Sequence, residues 1–296
     1  MANQTDPIGV TVSSTGQVGT GTGYLSVHYA SFRPEYEAML RSVGIRPGWR
    51  VLDAGCGGGD FLPLLAALVG AAGSIVAIDL APDNVATVQE RLAGWALPCP
   101  VEAQAGSVTA LPFPADAFDA VWCANTLMYL AADEADTALR EFGRVTKPGG
   151  LVANKEIEAG LMLLAPAPPF LFPHYWERRG ASSPLGRALV RARILRQSQR
   201  HAGLVETWQR TTLIERWSPV SAVERGYLGG TLAYFAEAAE EAGVPAEDLP
   251  TWRRLRDADA PGYLLDDPDF YYCEANVVAV GRVPTTCVRN APSTRS

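Results

Sequence analysis

The sequence is poor in basic residues, in histidine and in long apolar runs, and each shortage removes a class of function. Lys and Arg number 25 against 32 Asp and Glu, a formal net charge of −7. A nucleic-acid backbone is held by clustered cations, so nucleic acid is not expected as the main partner. No uninterrupted apolar stretch reaches the ~20 residues that a bilayer span requires, and no membrane association is expected. The apolar segment LMLLAPAPPFLF (161–172) is short and broken by prolines. The opening MANQTDPIGVTVSSTGQVGTGTG has no basic stretch leading into an apolar run, so it does not read as a signal peptide. The cysteines, Cys56, Cys99, Cys123, Cys273 and Cys287, are odd in number and lack metal-ligand spacing. They read as free thiols of a reducing cytosol, with no metal site, and the expected location is cytoplasmic.

What is present supports a packed fold. Hydrophobic residues make up 48% and charged residues 19%, enough for one large core. Residues 1–20 are polar and Gly/Thr-rich and read as a disordered arm, as does the tail 284–296. Between them, 21–283 reads as one domain. Tyr24 to Val43 suits one or two helices, with Pro34 in the first turn of the second. From Arg50 to Glu156 strand and helix signals alternate. Strands are expected at 51–54, 74–80, 101–105, 118–124 and 151–156, with helices at 61–69, 82–92 and 133–145. Such alternation implies right-handed βαβ units and a doubly wound, mostly parallel α/β sheet. Two later runs, 204–217 and 271–283, bring the strands to seven. The core that binds a ligand is expected at 45–156. The intervening 157–200 and 219–260 read as helical insertions suited to a substrate lid. Ligands on such sheets bind at the carboxyl ends of the strands.

The most informative segment is VLDAGCGGGD, residues 51–60. A buried strand delivers Gly55, Gly57 and Gly59 into a tight turn before a helix. Glycines there permit positive φ and let a ligand approach the backbone. Asp53, just ahead of the turn, is an acceptor for a cationic ammonium. A glycine-rich turn alone is a weak signal, shared by many nucleotide-binding folds. The acid two residues before the first glycine departs from the dinucleotide fingerprint. About two dozen residues on, Asp79 ends the second strand, where a carboxylate can accept from both hydroxyls of a ribose.

This pattern resembles motif I of the class I S-adenosylmethionine-dependent methyltransferases, strongly over residues 50–156 and in layout beyond. The resemblance implies the Rossmann-like methyltransferase fold and S-adenosylmethionine as cofactor. It implies that Asp53, Gly55, Cys56 and Gly57 hold the amino-acid end, that Asp79 holds the ribose, and that Leu80 packs on the adenine. Where related enzymes often carry an acid after the third strand, this chain has Ser107, so the Ser107 hydroxyl or the Val108 amide is expected at the adenine. Asn125 and Thr126, at the end of the fourth strand, are expected near the sulfonium. In similar enzymes an N-terminal helix covers the cofactor, which makes Tyr29 and Arg33 candidates for its carboxylate.

Methyl transfer needs an in-line acceptor and exclusion of water, with a base only if the acceptor must lose a proton. The candidates for direct catalysis are Glu156, at the end of the fifth strand, and His28. His174 and His201 complete the histidines. Tyr24, Phe32, Phe170, Phe172, Tyr175, Trp176, Tyr227, Tyr234 and Phe235 are candidates for a hydrophobic acceptor wall. The expected acceptor is a small, partly hydrophobic, natural-product-like molecule of secondary metabolism, methylated on oxygen or nitrogen. The alternatives are a C-methyltransferase on an aromatic or prenyl-type carbon, with or without cyclisation, and a nicotinamide-dependent oxidoreductase. Oligomeric state is not legible. The ribose assignment carries a test: Asp79→Ala should weaken cofactor binding by at least ~1.5 kcal/mol in calorimetry, the scale of a lost charged hydrogen-bond partner.

Overall fold

The computed structural model describes residues 9–285. Two helices come first, α1 (Thr22–Ser31) and α2 (Arg33–Ser42), with Pro34 in the first turn of α2. The alternating part follows as β1 (Arg50–Ala54), α3 (Leu62–Val69), β2 (Ser74–Asp79), α4 (Pro82–Gly94), β3 (Val101–Ala105), β4 (Phe118–Ala124), α5 (Ala132–Val145) and β5 (Thr146–Ala165). The late part comprises α6 (Leu171–Ser182), α7 (Pro184–Leu189), α8 (Leu195–His201), β6 (Val205–Trp217), α9 (Ala222–Ala242), α10 (Leu249–Arg256) and β7 (Tyr271–Arg282). The seven strands form one sheet in the order β3-β2-β1-β4-β5-β7-β6. Neighbours are parallel from β3 through β5, while β7 runs antiparallel to both β5 and β6. The order reverses beside β1, so the crevice between the ends of β1 and β4 is the topological switch point.

Alternation along the strands feeds two cores. Val51, Ala77, Trp122, Ala153 and Val280 pack on one face, and Leu52, Val76, Val121, Val152 and Ala279 on the other. Strands buried on both faces read as continuous apolar runs, which is why β1 and β4 were legible. Helix α5 buries Ala135, Ala138, Leu139, Phe142 and Val145, the three-and-four spacing of one helical stripe. The capping box of α9 is explicit: Ser221 Oγ accepts from the Glu224 amide, and Glu224 returns an acceptor to the Ser221 amide at 2.8 Å.

Three expectations change. The arm is described from residue 9, and there it folds: Val12 bridges Val18, the Ser14 amide donates to Asp83 at 3.0 Å, and Ser13 is buried. Its Gly and Thr content reflected tight turns, at Gly16 and Gly19, both with positive φ. Residues 1–8 and 286–296, with Cys287, lie outside the described residues. The segment after residue 156 does not turn at once into helix. Strand β5 continues to Ala165, pairing Leu163–Ala165 with Tyr271–Cys273 beyond an irregularity. The fifth strand, expected from 151, begins at Thr146, so that Lys147-Pro148-Gly149-Gly150 lies within β5 at a register shift against β4, with Gly149 at φ 78°.

The remaining inserted helices pack on each other. Trp252 of α10 is 1% exposed and meets Phe172 and Tyr175 of α6 at ring separations of 5.7 and 5.2 Å. His174 of α6 and Asp248, just before α10, hydrogen-bond at 2.8 Å. Removing the indole leaves a large void between the insertions, so Trp252→Ala should cost about 3–5 kcal/mol of stability, read from urea unfolding.

Candidate active site

The strand ends at the switch point are laced together by hydrogen bonds. The Gly55 and Cys56 amides donate to the Ile78 carbonyl at 2.8 and 3.0 Å, and the Gly57 amide donates to Asp79 Oδ2 at 2.8 Å. Gly55 has φ 76°, and an added Cβ would stand 2.2 Å from Thr126 Oγ1. Both the conformation and the close approach therefore require glycine. Asp79 Oδ1 accepts from the Ala81 amide and from Asn84. Of the carboxylate's roughly four acceptor positions, that leaves one on Oδ2 for a ligand hydroxyl.

These residues line a cavity together with Asp53, Cys56, Leu80, Ser107, Val108, Asn125, Thr126 and Tyr29. Asp53 is 2% exposed, and its Oδ2 has no hydrogen-bond partner among the described residues. Burial, then the nearby Asp79 and Asp60 carboxylates, push its pKa up to about 8. Leaving a buried carboxylate oxygen unpaired is costly, and a cation or a hydrogen-bond donor entering the cavity would relieve that cost. Leu80 is 61% exposed on the cavity wall, an apolar surface waiting for a flat partner. The Ser107 hydroxyl is engaged locally with Thr109. Residues Ser13, Thr15, Gln17 and Thr20 of the folded arm also line this cavity.

Two sequence candidates stand elsewhere. Arg33, proposed for the cofactor carboxylate, does not line the cavity; its guanidinium is 66% exposed and pairs with Glu37 one helical turn away at 2.6 Å. Arg91, which sequence reading missed, reaches the glycine turn instead, donating to Gly58 O at 2.7 Å, to Asp60 and to Ser26 of α1. Glu156, proposed as a base, is 3% exposed and lines neither this cavity nor the next. Its carboxylate accepts from the Thr126, Leu127 and Met128 amides at 3.0, 2.9 and 3.3 Å, so it caps the turn after β4. Glu156 was expected at a strand end; it lies inside β5, which runs on to Ala165, and its side chain points under the turn after β4.

A second cavity adjoins the first, and Leu25, His28, Asn125 and Tyr129 line both. Among the candidate wall aromatics, Tyr24, Trp176, Tyr227, Tyr234 and Phe235 line it. Phe32, Phe172 and Tyr175 are buried in the core, and Phe170 is 61% exposed. The lining holds no Asp, Glu, Lys or Arg. His28 stacks on Tyr227 with centroids 4.6 Å apart, and its Nε2 lies 2.8 Å from the Tyr36 hydroxyl. Burial, then Lys155, hold its pKa well below 6.5, so the ring is neutral. Tyr36 and Lys155 were also missed; a lysine inside an otherwise apolar strand, LVANKEI, was the available signal.

Residues 51–150 match a family model described as a methyltransferase domain. The match covers about a third of the chain, the part that carries the glycine turn, Asp53 and Asp79. Over 110 residues the chain is 38% identical to the 2-phytyl-1,4-naphtoquinone methyltransferase of Synechococcus elongatus, covering 36% of this chain and 46% of the relative. Over 120 residues it is 32% identical to the demethylmenaquinone methyltransferase of Staphylococcus aureus, covering 40% and 47%. The alignments thus span less than half of each curated relative. In fold it is similar to the phosphoethanolamine N-methyltransferase 2 of Haemonchus contortus, with TM-score 0.54, 17% identity, and 90% and 58% of the two chains covered. Among the described residues no helix is long and apolar enough to cross a membrane.

The orphaned carboxylate yields a pH test. A cationic ligand needs Asp53 ionised, and below about pH 8 the buried group is protonated. Cofactor affinity should therefore rise between pH 6 and pH 8, by up to about tenfold per unit. Calorimetry across that range checks it, and Asp53→Asn should flatten the dependence.

Proposed function

We propose that this chain binds S-adenosylmethionine in the first cavity and methylates a small, neutral, largely apolar acceptor held in the second. The observation that carries this reading is the pair of cavities meeting at Leu25, His28, Asn125 and Tyr129, one lined by the carboxylates of Asp53, Asp60 and Asp79 and one aromatic and without charged residues. The cofactor, when bound, supplies a methyl group on a cationic sulfonium. Asp53 and the glycine turn hold its ammonium end, Asp79 takes a ribose hydroxyl, and Leu80 covers the adenine. Ser107 or the Val108 amide remains the proposed adenine partner, and Tyr29 a cover over the same cavity. The inserted helices and α1 orient the acceptor and exclude water, which supplies much of the rate in such a displacement.

Carbon on an aromatic, quinol-type ring is the favoured methyl acceptor. Two things support this ordering over oxygen or nitrogen: two of the curated relatives are quinone methyltransferases by their names, and the uncharged cavity suits such a ring. Charged amines would enter a cavity with no carboxylate to pair them. A nicotinamide dinucleotide is disfavoured because its pyrophosphate would lie beside the Asp53 carboxylate. Glu156, engaged by three amides, is left as a support of the turn, and His28 and Tyr129 are the titratable side chains at the junction.

The experiment is turnover with labelled S-adenosylmethionine against reduced 2-phytyl-1,4-naphthoquinone and against phosphoethanolamine. Label is expected in the quinol and not in the amine. Tight cofactor binding with no transfer to any neutral aromatic acceptor would sink the reading, as would transfer to the amine alone.

A further inference from the structure

Lys155 lies in the middle of β5 and is 0% exposed. Its Nζ stands 2.9 Å from Asn125 Oδ1 and 3.6 Å from the centroid of the Tyr36 ring. The Asn125 side chain acts on the Tyr36 hydroxyl as a donor would, favouring its ionised form. The Tyr36 hydroxyl then meets His28 Nε2 at 2.8 Å. Four side chains, from β5, the turn after β4, α2 and α1, thus form one continuous chain. It ends at a ring that lines both cavities.

The chemistry of its members fixes the direction of this chain. An ammonium only donates, so Asn125 must present its oxygen to Lys155 and its amide N–H to Tyr36. The Tyr36 oxygen accepts from Asn125 and holds one proton of its own. Burial keeps the phenol protonated, far above its ordinary range. A cation over the ring face also strengthens the O–H as a donor. That proton goes to His28 Nε2. A neutral imidazole that accepts at Nε2 carries its proton on Nδ1. No described residue hydrogen-bonds Nδ1 of His28.

We infer that Lys155 is a positioning residue that sets the direction of this chain, so that His28 presents an Nδ1–H donor to a carbonyl or phenolic oxygen of the acceptor. The inference rests on the reading of the second cavity as the acceptor site. It gives His28 the task of holding and polarising an oxygen rather than removing a proton. It also narrows the acceptor to a neutral molecule with such an oxygen at the end that faces the cofactor cavity.

Several charged groups surround Lys155. Glu274 of β7, itself bonded by Tyr272 and Asn276, and Glu156 of β5 favour the ammonium, while burial opposes it. Arg216 of β6 acts on Glu274, and neutral His28 and Tyr36 complete the surroundings. The net effect places the Lys155 pKa at about 7, so the ammonium prevails at pH 6. Burial and the neighbouring Lys155 oppose protonation of His28.

The test is nitrogen-15 NMR of the full chain with labelled histidine at pH 6, without acceptor. His28→Asn identifies the His28 signals among those of the three histidines. The expected spectrum has a protonated Nδ1 and an unprotonated Nε2. A protonated Nε2 in the wild-type chain would overturn the inference. In Lys155→Met the preference should be lost, giving signals averaged between the tautomers; an unchanged Nδ1–H tautomer overturns the role of Lys155. Tyr36→Phe, which removes the donor to Nε2, reads the same point if Lys155→Met does not fold. Turnover of reduced 2-phytyl-1,4-naphthoquinone supplies the second arm. An asparagine amide N–H can replace an Nδ1–H donor but not a base. His28→Asn should lose no more than roughly tenfold and His28→Leu at least about 100-fold. Equal losses overturn the donor role. The tautomer spectrum needs no acceptor, so failure of the quinol as substrate is distinguishable from failure of this inference.

Discussion

The carboxyl ends of four parallel strands are tied to one another through the turns that follow them, and the rest of the site depends on that lacing. Gly57 after β1 is held by Asp79 at the end of β2. Thr126 after β4 reaches back to the Gly55 carbonyl at 3.3 Å. Glu156 in β5 collects the amides of the turn after β4, and the Asn125 amide donates to the Lys155 carbonyl at 2.7 Å. Backbone groups at strand ends lose their ladder partners, and here side chains and neighbouring turns supply them. The result is a rim whose cavity walls are rigid before any ligand arrives, and whose positive-φ positions, Gly55, Gly57 and Asn125, are over-determined by their surroundings.

Within this rim two buried charges are treated in opposite ways. Asp53 is left with an unpaired oxygen beside further carboxylates, a local cost that a cation can relieve. Lys155 is surrounded by an amide oxygen, an aromatic face and two glutamates, so its charge is spent inside the protein. The first arrangement favours binding and the second favours order. This fits the general rule that buried ions are either compensated by structure or reserved for a partner.

Much of the fold was legible because its period signals are local. The runs at 51–54, 118–124 and 204–217 sit in the observed β1, β4 and β6, and the α5 stripe follows from apolar spacing alone. The folded part of the arm was not legible, since its polar residues are held by contacts such as Ser14 with Asp83, far along the chain. The extension of β5 was hidden by the prolines and glycine around it, and becomes strand only because β7 pairs with it. Lid and strand compositions overlap wherever an apolar segment gains a partner late in the sequence.

The sequence by itself determined the class of sheet and the glycine turn, with Asp53 and Asp79 placed around it, because a tight turn and a strand-end acid are fixed by neighbours a few residues away. Only the tertiary structure decided which side chains face the ligand. It turned Glu156 into a cap and left Arg33 on the surface. It brought Arg91 to the glycine turn and joined Lys155 to His28 through Asn125 and Tyr36. Those outcomes depend on side-chain direction and on contacts between residues as far apart as Tyr36 and Lys155, which no local pattern carries.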